Sequence, residues 1–143
     1  RVMDAEVQDY VSELLLPKIA VAFPDPSGRQ RVSNAIAYLN SRVRTRLAPE
    51  VKFFAFNAAL SAELATRRNG NVITVGGERI LIDPRSNEFH GAWLNESPYA
   101  HAGTVLSGLL ANLYMKVLNA QFGANLLRLT DAEIISIAGG PQK

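Results

Sequence analysis

Asn71-Val72-Ile73-Thr74-Val75-Gly76-Gly77-Glu78-Arg79-Ile80-Leu81-Ile82-Asp83 is the stretch that sets the fold class. Two runs of alternating apolar and polar residues flank Gly76-Gly77, a pair able to take the positive φ angles of a tight hairpin turn. A two-residue turn puts Ile73 opposite Ile80, on the same side as Val75 and Ile82, with Thr74 opposite Arg79 on the other side. One face is built for a core and the other for water. Helical periodicity dominates the rest of the chain. The expected class is therefore α+β and mostly helical: four to five helices around a small antiparallel sheet containing the hairpin at 71–83.

Downstream, Asp83-Pro84-Arg85-Ser86-Asn87 closes the hairpin. An irregular stretch holding Phe89, His90, Gly91 and Trp93 then leads to Ser97-Pro98, a suitable N-cap and first-turn pair. The spacing predicts a long central C-terminal helix over 98–121, ended by Gly123. Between Ser97 and Leu127 the only charged side chain is Lys116, so most faces of this segment should be covered by protein. Its apolar stripe is Tyr99, Leu106, Leu109, Leu110, Leu113 and Val117. A second face, Ala100, Thr104, Ser107 and Ala111, carries small residues that would let another backbone approach closely, and it is the candidate self-association interface. Thr130-Asp131-Ala132-Glu133 fits a capping box that opens a short helix through Ile134, Ile135 and Ile137, stopped by Gly139-Gly140.

Upstream, Val7, Val11, Leu14, Leu15 and Ile19 have the spacing of one helical face within Asp4–Ala22, a helix that Pro17 should kink or divide. Phe23-Pro24-Asp25-Pro26-Ser27-Gly28 collects turn formers and reads as an internal loop or hinge. Arg31–Leu47 is the cleanest amphipathic helix, with Val32, Ile36, Leu39, Val43 and Leu47 on one stripe and Pro49 just beyond its end. Val51–Phe56 reads as a short strand, because clustered aromatics suit a pleat, and Asn57 then caps a helix over Ala58–Arg68 that Asn69-Gly70 terminates.

With 143 residues, 48% apolar and 20% charged, the expectation is one globular domain, 1–143. The chain begins at Arg1 rather than Met, as a processed chain or an excised domain would. No basic-then-apolar leader and no uncharged run of bilayer length stands in it. A soluble protein of the cytoplasm or of a particle interior is expected rather than a secreted one. The absence of cysteine excludes disulfides, thiolate catalysis, Cys-bearing zinc sites and iron–sulfur ligation.

Catalytic and cofactor chemistry finds little support. His90 and His101, with Glu88 and Glu96 nearby, are the only grouping with metal-ligand chemistry, yet their spacing matches no helical i, i+4 pair, and ordinary surface or capping histidines explain them better. No G-x-S-x-G motif and no phosphate-loop pattern is present, and the Gly76-Gly77 pair is accounted for by the hairpin. No cofactor or metal is expected. Phe53, Phe54 and Phe56 suit core filling better than base stacking.

Among polar features the arginines carry the most weight. Arg29, Arg31, Arg42, Arg44 and Arg46 lie between Asp25 and Glu50 with no acid among them. Arg31, Arg42 and Arg46 flank one side of the amphipathic stripe, where guanidinium forks could grip phosphates or a partner's carboxylates. The net charge of +2 is small for a nucleic-acid binder. The first reading is accordingly a non-enzymatic structural, assembly or protein-interaction module, self-associating through the C-terminal helix as a homo-oligomer or within a larger assembly such as a phage particle or secretion machine. The alternative is a nucleic-acid-binding domain using Arg31, Arg42 and Arg46, with Lys52, Arg67 and Arg68. A third is an enzyme with a site near His90, Trp93 and His101.

Overall fold

The chain has an α+β fold. The computed structural model describes residues 2–5, 24–82, 93 and 102–140. In chain order the described elements are β1 (Val2–Ala5), α1 (Pro26–Arg46), β2 (Val51–Phe54), α2 (Phe56–Ala65), β3 (Arg68–Asn69), β4 (Val72–Val75), β5 (Glu78–Leu81), α3 (Thr104–Phe122) and α4 (Asp131–Ile137). They fall into two compact units, Arg1–Ala62 and Glu63–Lys143.

In the first unit β1 and β2 pair in parallel, with Val2 beside Val51 and Ala5 beside Phe54. Asp4 and Ala5 are therefore strand residues and do not open a helix as their spacing suggests; the rest of Asp4–Ala22 lies outside the described residues. Local periodicity cannot reveal a partner strand more than 40 residues away, and a parallel pair requires such a long crossover. The expected loop at 23–28 is shorter than its composition implies. Pro24 and Asp25 are irregular, Phe23 lies outside the described residues, and Pro26-Ser27-Gly28 already forms the first turn of α1. Asp25 is the N-cap, accepting the Ser27 N–H at 2.9 Å. Pro26 occupies a first-turn position where a missing N–H costs nothing.

The strand expected at Val51 is present, and its helix is displaced by two to three residues: α2 begins at Phe56 and ends at Ala65, rather than spanning Ala58–Arg68. Phe56, Leu60 and Leu64 recur every four residues and are all buried. Burying a large apolar side chain is worth about 1.5–3 kcal/mol, enough to outweigh the modest capping preference that favours a start after Asn57. Phe54 meets the Phe56 ring edge-on at 5.8 Å between centroids, so both aromatics are core residues.

The second unit is organised by the hairpin. Gly76 and Gly77 take φ of +58° and +85°, and β4 and β5 pair with Ile73 opposite Ile80 and Thr74 opposite Arg79, the register that the two-glycine turn predicts. Ile73, Val75, Ile80 and Ile82 are fully buried, while Thr74 and Arg79 are exposed. A further strand, β3, joins β4 antiparallel, with Arg68 beside Ile73. That pairing removes Arg68 from the helix in which its sequence position suggests it belongs.

α3 starts at Thr104 rather than Pro98, because Gly103 is extended and its N–H is committed to the Trp93 carbonyl at 2.7 Å; Ser97 and Pro98 lie outside the described residues. Gly123, at φ +63°, ends the helix. Val105, Leu106, Leu109 and Leu113 form its buried stripe, with Leu110 and Val117 half-buried and Tyr99 outside the described residues. α4 opens with the capping box read from Thr130 and Glu133, and it packs on α3 and β4. Its approach to α3 is close: a Cβ added at Gly108 would stand 2.9 Å from Ile134 Cγ1 and 3.0 Å from Ile134 Cγ2.

Gly108→Leu is therefore expected to lower stability by about 1–3 kcal/mol through overpacking, despite a better helix former at that position; urea unfolding of the variant measures it. The hydrogen bonds from Thr130 hold the Glu133 carboxyl below its ordinary value. A depressed folded pKa gives stability that is present above the ordinary glutamate pKa and is lost as pH falls through the folded value. Glu133→Gln should remove that part of the acid-side loss, as seen in the pH dependence of α4 amide protection.

Candidate functional site

Two surfaces gather the polar side chains, one in each unit. The first is α1. Its only buried residue is Asn40, which lies about 80° around the helix from Val32 at 100° per residue. The inward face is thus displaced from the apolar stripe. Val32 and Leu39 are 45% and 51% exposed, and Ile36, Val43 and Leu47 are half-buried. On the other flank Arg31, Tyr38, Arg42 and Arg46 share one side of the helix. Tyr38, at 63% exposed, escaped the sequence reading because it is off the apolar stripe. Its signal was the seven-residue spacing from Arg31, which places it directly above that arginine.

The arginines of α1 differ in their commitments. Arg31 folds back on the helix start, donating to Ser27 Oγ at 2.9 Å and to Asp25 at 3.3 Å. The Ser27 hydroxyl, foremost among the groups around Asp25, keeps that carboxyl below its usual range. Arg44 lies over the Phe53 ring at 5.1 Å, a cation–π contact. Arg42 and Arg46 are exposed, and among the described residues no carboxylate is within ion-pair distance of either. Lys52, on β2, is also exposed.

Arg67 and Arg68 are spent on structure. Arg67 donates through Nε to Glu63 at 2.8 Å and through Nη1 to Asp131 at 2.5 Å, and Asp131 above all raises the guanidinium pKa. The Gly76 N–H reaches the same Asp131 oxygen at 3.4 Å. Arg68 donates to the Gly70 carbonyl at 2.9 Å. Of the small-residue face proposed for self-association, Thr104 and Ala111 are half-buried, Ser107 is exposed and Ala100 lies outside the described residues. Gly108, between them, is occupied by Ile134 of the chain's own α4. The close approach that small residues permit is made within the chain.

The second surface is a groove of about 480 Å³ in the second unit, lined by the charged residues Glu63, Arg67, Asp131, Lys116 and Arg128 together with Leu109, Leu113 and Leu129. Its shape depends on two asparagines of α3. Asn112 exchanges hydrogen bonds with the N–H and C=O of Leu129, both at 2.8 Å. Asn119 does the same with Leu126 at 2.7 and 2.8 Å. Seven helical residues advance about 10 Å and three extended residues about 10 Å, so the segment after Gly123 lies back along α3 with both clamps closed at once. Two asparagines seven apart in a helix with a single charged residue were the available sign of this strap.

Among the described residues there is no group of three side chains able to hold a metal ion, and His90, His101, Glu88 and Glu96 lie outside them. No described helix is long and apolar enough to cross a membrane. Because Arg67 and Asp131 are both partly exposed, their pairing is discounted for solvent screening. Arg67→Met should cost about 1–2 kcal/mol, with a coupling of about 0.5–1.5 kcal/mol to Asp131→Ala in a double-mutant cycle read by denaturant unfolding. Comparison with known proteins returns no matching family model, no matching curated protein and no matching solved structure.

Proposed function

We propose that this protein is a non-enzymatic assembly module that docks through α1 onto the acidic surface of another copy of itself. The observation behind this reading is the outward face of α1: apolar Val32 and Leu39 beside Tyr38, edged by arginines that include Arg42 and Arg46, which have no ion-pair partner among the described residues. Tyrosine and arginine are the residues that dominate interface energetics, because they bring large contact area together with directed hydrogen bonds. α1 carries five arginines and no acid. A chain of formal charge +2 therefore has −3 elsewhere, from +2 minus +5.

That separation of charge disfavours pairing α1 against α1 and favours α1 against a different surface of the next copy. Such a heterologous contact builds rings or filaments rather than closed twofold dimers. Self-association through α3 is the weaker version of the same reading. Among the described residues of its small-residue face only Ser107 is well exposed, and the space at Gly108 is already filled by Ile134.

Light scattering over a range of concentrations tests the proposal. A mass that rises with concentration, falls on raising salt from about 0.05 to 0.5 M as the screening length shortens, and collapses to the monomer in Tyr38→Ala/Arg42→Glu is expected. A monomer under all conditions overturns it. The acid-free run of arginines also favours a second reading, nucleic-acid binding by α1 and Lys52. In that case the salt dependence of affinity for a single-stranded oligonucleotide becomes shallower by about one unit per lost phosphate contact in Arg42→Ala/Arg46→Ala.

A further inference from the structure

We propose that the groove over Leu109, Leu113 and Leu129 is a binding site for an organic monoanion, with a carboxylate seated between Lys116 and Arg128 and an apolar body on the leucines. The inference is independent of α1 and of the assembly reading.

It begins with the strap. The clamps pair Asn112 with Leu129 and Asn119 with Leu126. Lys116 falls between the two asparagines on α3, and Arg128 falls between the two clamped leucines on the strap. The antiparallel register brings these cations to the same stretch of the groove wall. Two like charges lining one groove repel one another. Among the described residues no carboxylate lies within ion-pair distance of either, so an anion placed between them is the missing counter-charge.

The other charged residues of the lining limit what that anion can be. Arg67 is held by Glu63 and Asp131, and these three groups sum to −1. With Lys116 and Arg128 the whole lining is +1. A singly charged carboxylate balances it, whereas a phosphate dianion would overfill it and face two fixed acids. Asn112 spends one of its two amide N–H groups and its oxygen on Leu129, so the amide is fixed in place with its second N–H left as a neutral donor. Specificity for a charged ligand therefore rests on Lys116 and Arg128, and on burial of an apolar body against the three leucines. The volume of about 480 Å³ lies within the range of small-molecule sites.

Two sources share this chemistry: a free small carboxylic acid and the C-terminal carboxylate of a chain ending in an apolar residue. The test titrates isotopically labelled protein with hexanoate, using hexanamide as the uncharged control. Hexanoate should move the amide resonances of Lys116, Arg128, Leu129 and Thr130 with an affinity that is roughly millimolar for so few atoms, and hexanamide should not. Lys116→Ala and Arg128→Ala should each weaken hexanoate about tenfold. Arg79→Ala, an exposed cation outside the groove lining, should leave it unchanged.

Both lining cations are exposed, and the unfolding midpoint of each variant confirms that it folds. Peptides ending in leucine, as acid and as amide, separate the sources. Tighter binding of the acid form than of hexanoate assigns a chain terminus, and weaker binding assigns a small acid. Equal binding of hexanoate and hexanamide overturns the site. So does the absence of groove shifts at saturating hexanoate, or undiminished binding in the Lys116→Ala/Arg128→Ala double variant.

Discussion

One carboxylate fixes the arrangement of the second unit. Asp131 accepts from Arg67 at the end of α2 and from the backbone of Gly76 at the hairpin turn, and it stands in the first turn of α4. Three segments distant in sequence converge on a single side chain. The turn glycine is confined as well: a Cβ at Gly76 would meet the Asp131 carbonyl oxygen at 3.2 Å, so that position needs glycine for space in addition to its positive φ. Asp131 also suits the start of a helix electrostatically, where the exposed N–H groups favour negative charge. Its Oδ2 is shared between a guanidinium and a backbone amide, and this sharing holds the hairpin turn to α4 more specifically than apolar contact could.

The strap solves a different problem. An extended segment lying on a helix has backbone donors and acceptors that no helix can satisfy with its own backbone, whose groups are bonded along the axis. α3 meets that need with asparagine, the neutral side chain that both donates and accepts in one plane, as a neighbouring strand would. Only the N–H and C=O of Leu126 and Leu129 are so engaged. Leu127 and Arg128 lie between them in sequence; Leu127 is 92% exposed, and Arg128 lines the groove. The polar residues of α3 are consequently part of its packing, and the one charged residue in the surrounding low-charge stretch, Lys116, remains at the rim of the groove.

The features legible in the sequence are those set by neighbours. The hairpin register, the Thr130–Glu133 capping box and the stop at Gly123 each depend on residues within a few positions of one another, and each was read correctly. The features that escaped depend on distant partners. β1 is a strand because Val51–Phe54 lies beside it. α3 begins late because Trp93 claims the Gly103 N–H. Arg67 resembled a ligand-gripping cation until Glu63 and Asp131 took it, the second of them 64 residues away. The α1 stripe was seen, but periodicity gives the direction of an apolar face and not whether anything covers it. Tyr38 and Asn112 were missed for a related reason: each is an ordinary helical residue whose significance comes from what lies beside it in space.

The two candidate surfaces differ in shape, and shape decides what each can recognise. α1 is a convex cylinder, and its outward face can only be covered by a complementary surface large enough to reach Val32, Tyr38 and Arg46 together, about 20 Å apart along a helix rising 1.5 Å per residue. A small molecule cannot span that distance and would lose little water by lying on it. The groove is concave, so its leucines can be desolvated by a few carbon atoms while its exposed cations, Lys116 and Arg128, keep contact with water. A convex face with arginines and tyrosine calls for a macromolecule; a concave one with two cations over leucine calls for a small amphipathic anion or a chain end. The two surfaces therefore impose separate chemical requirements, and neither depends on the other being filled.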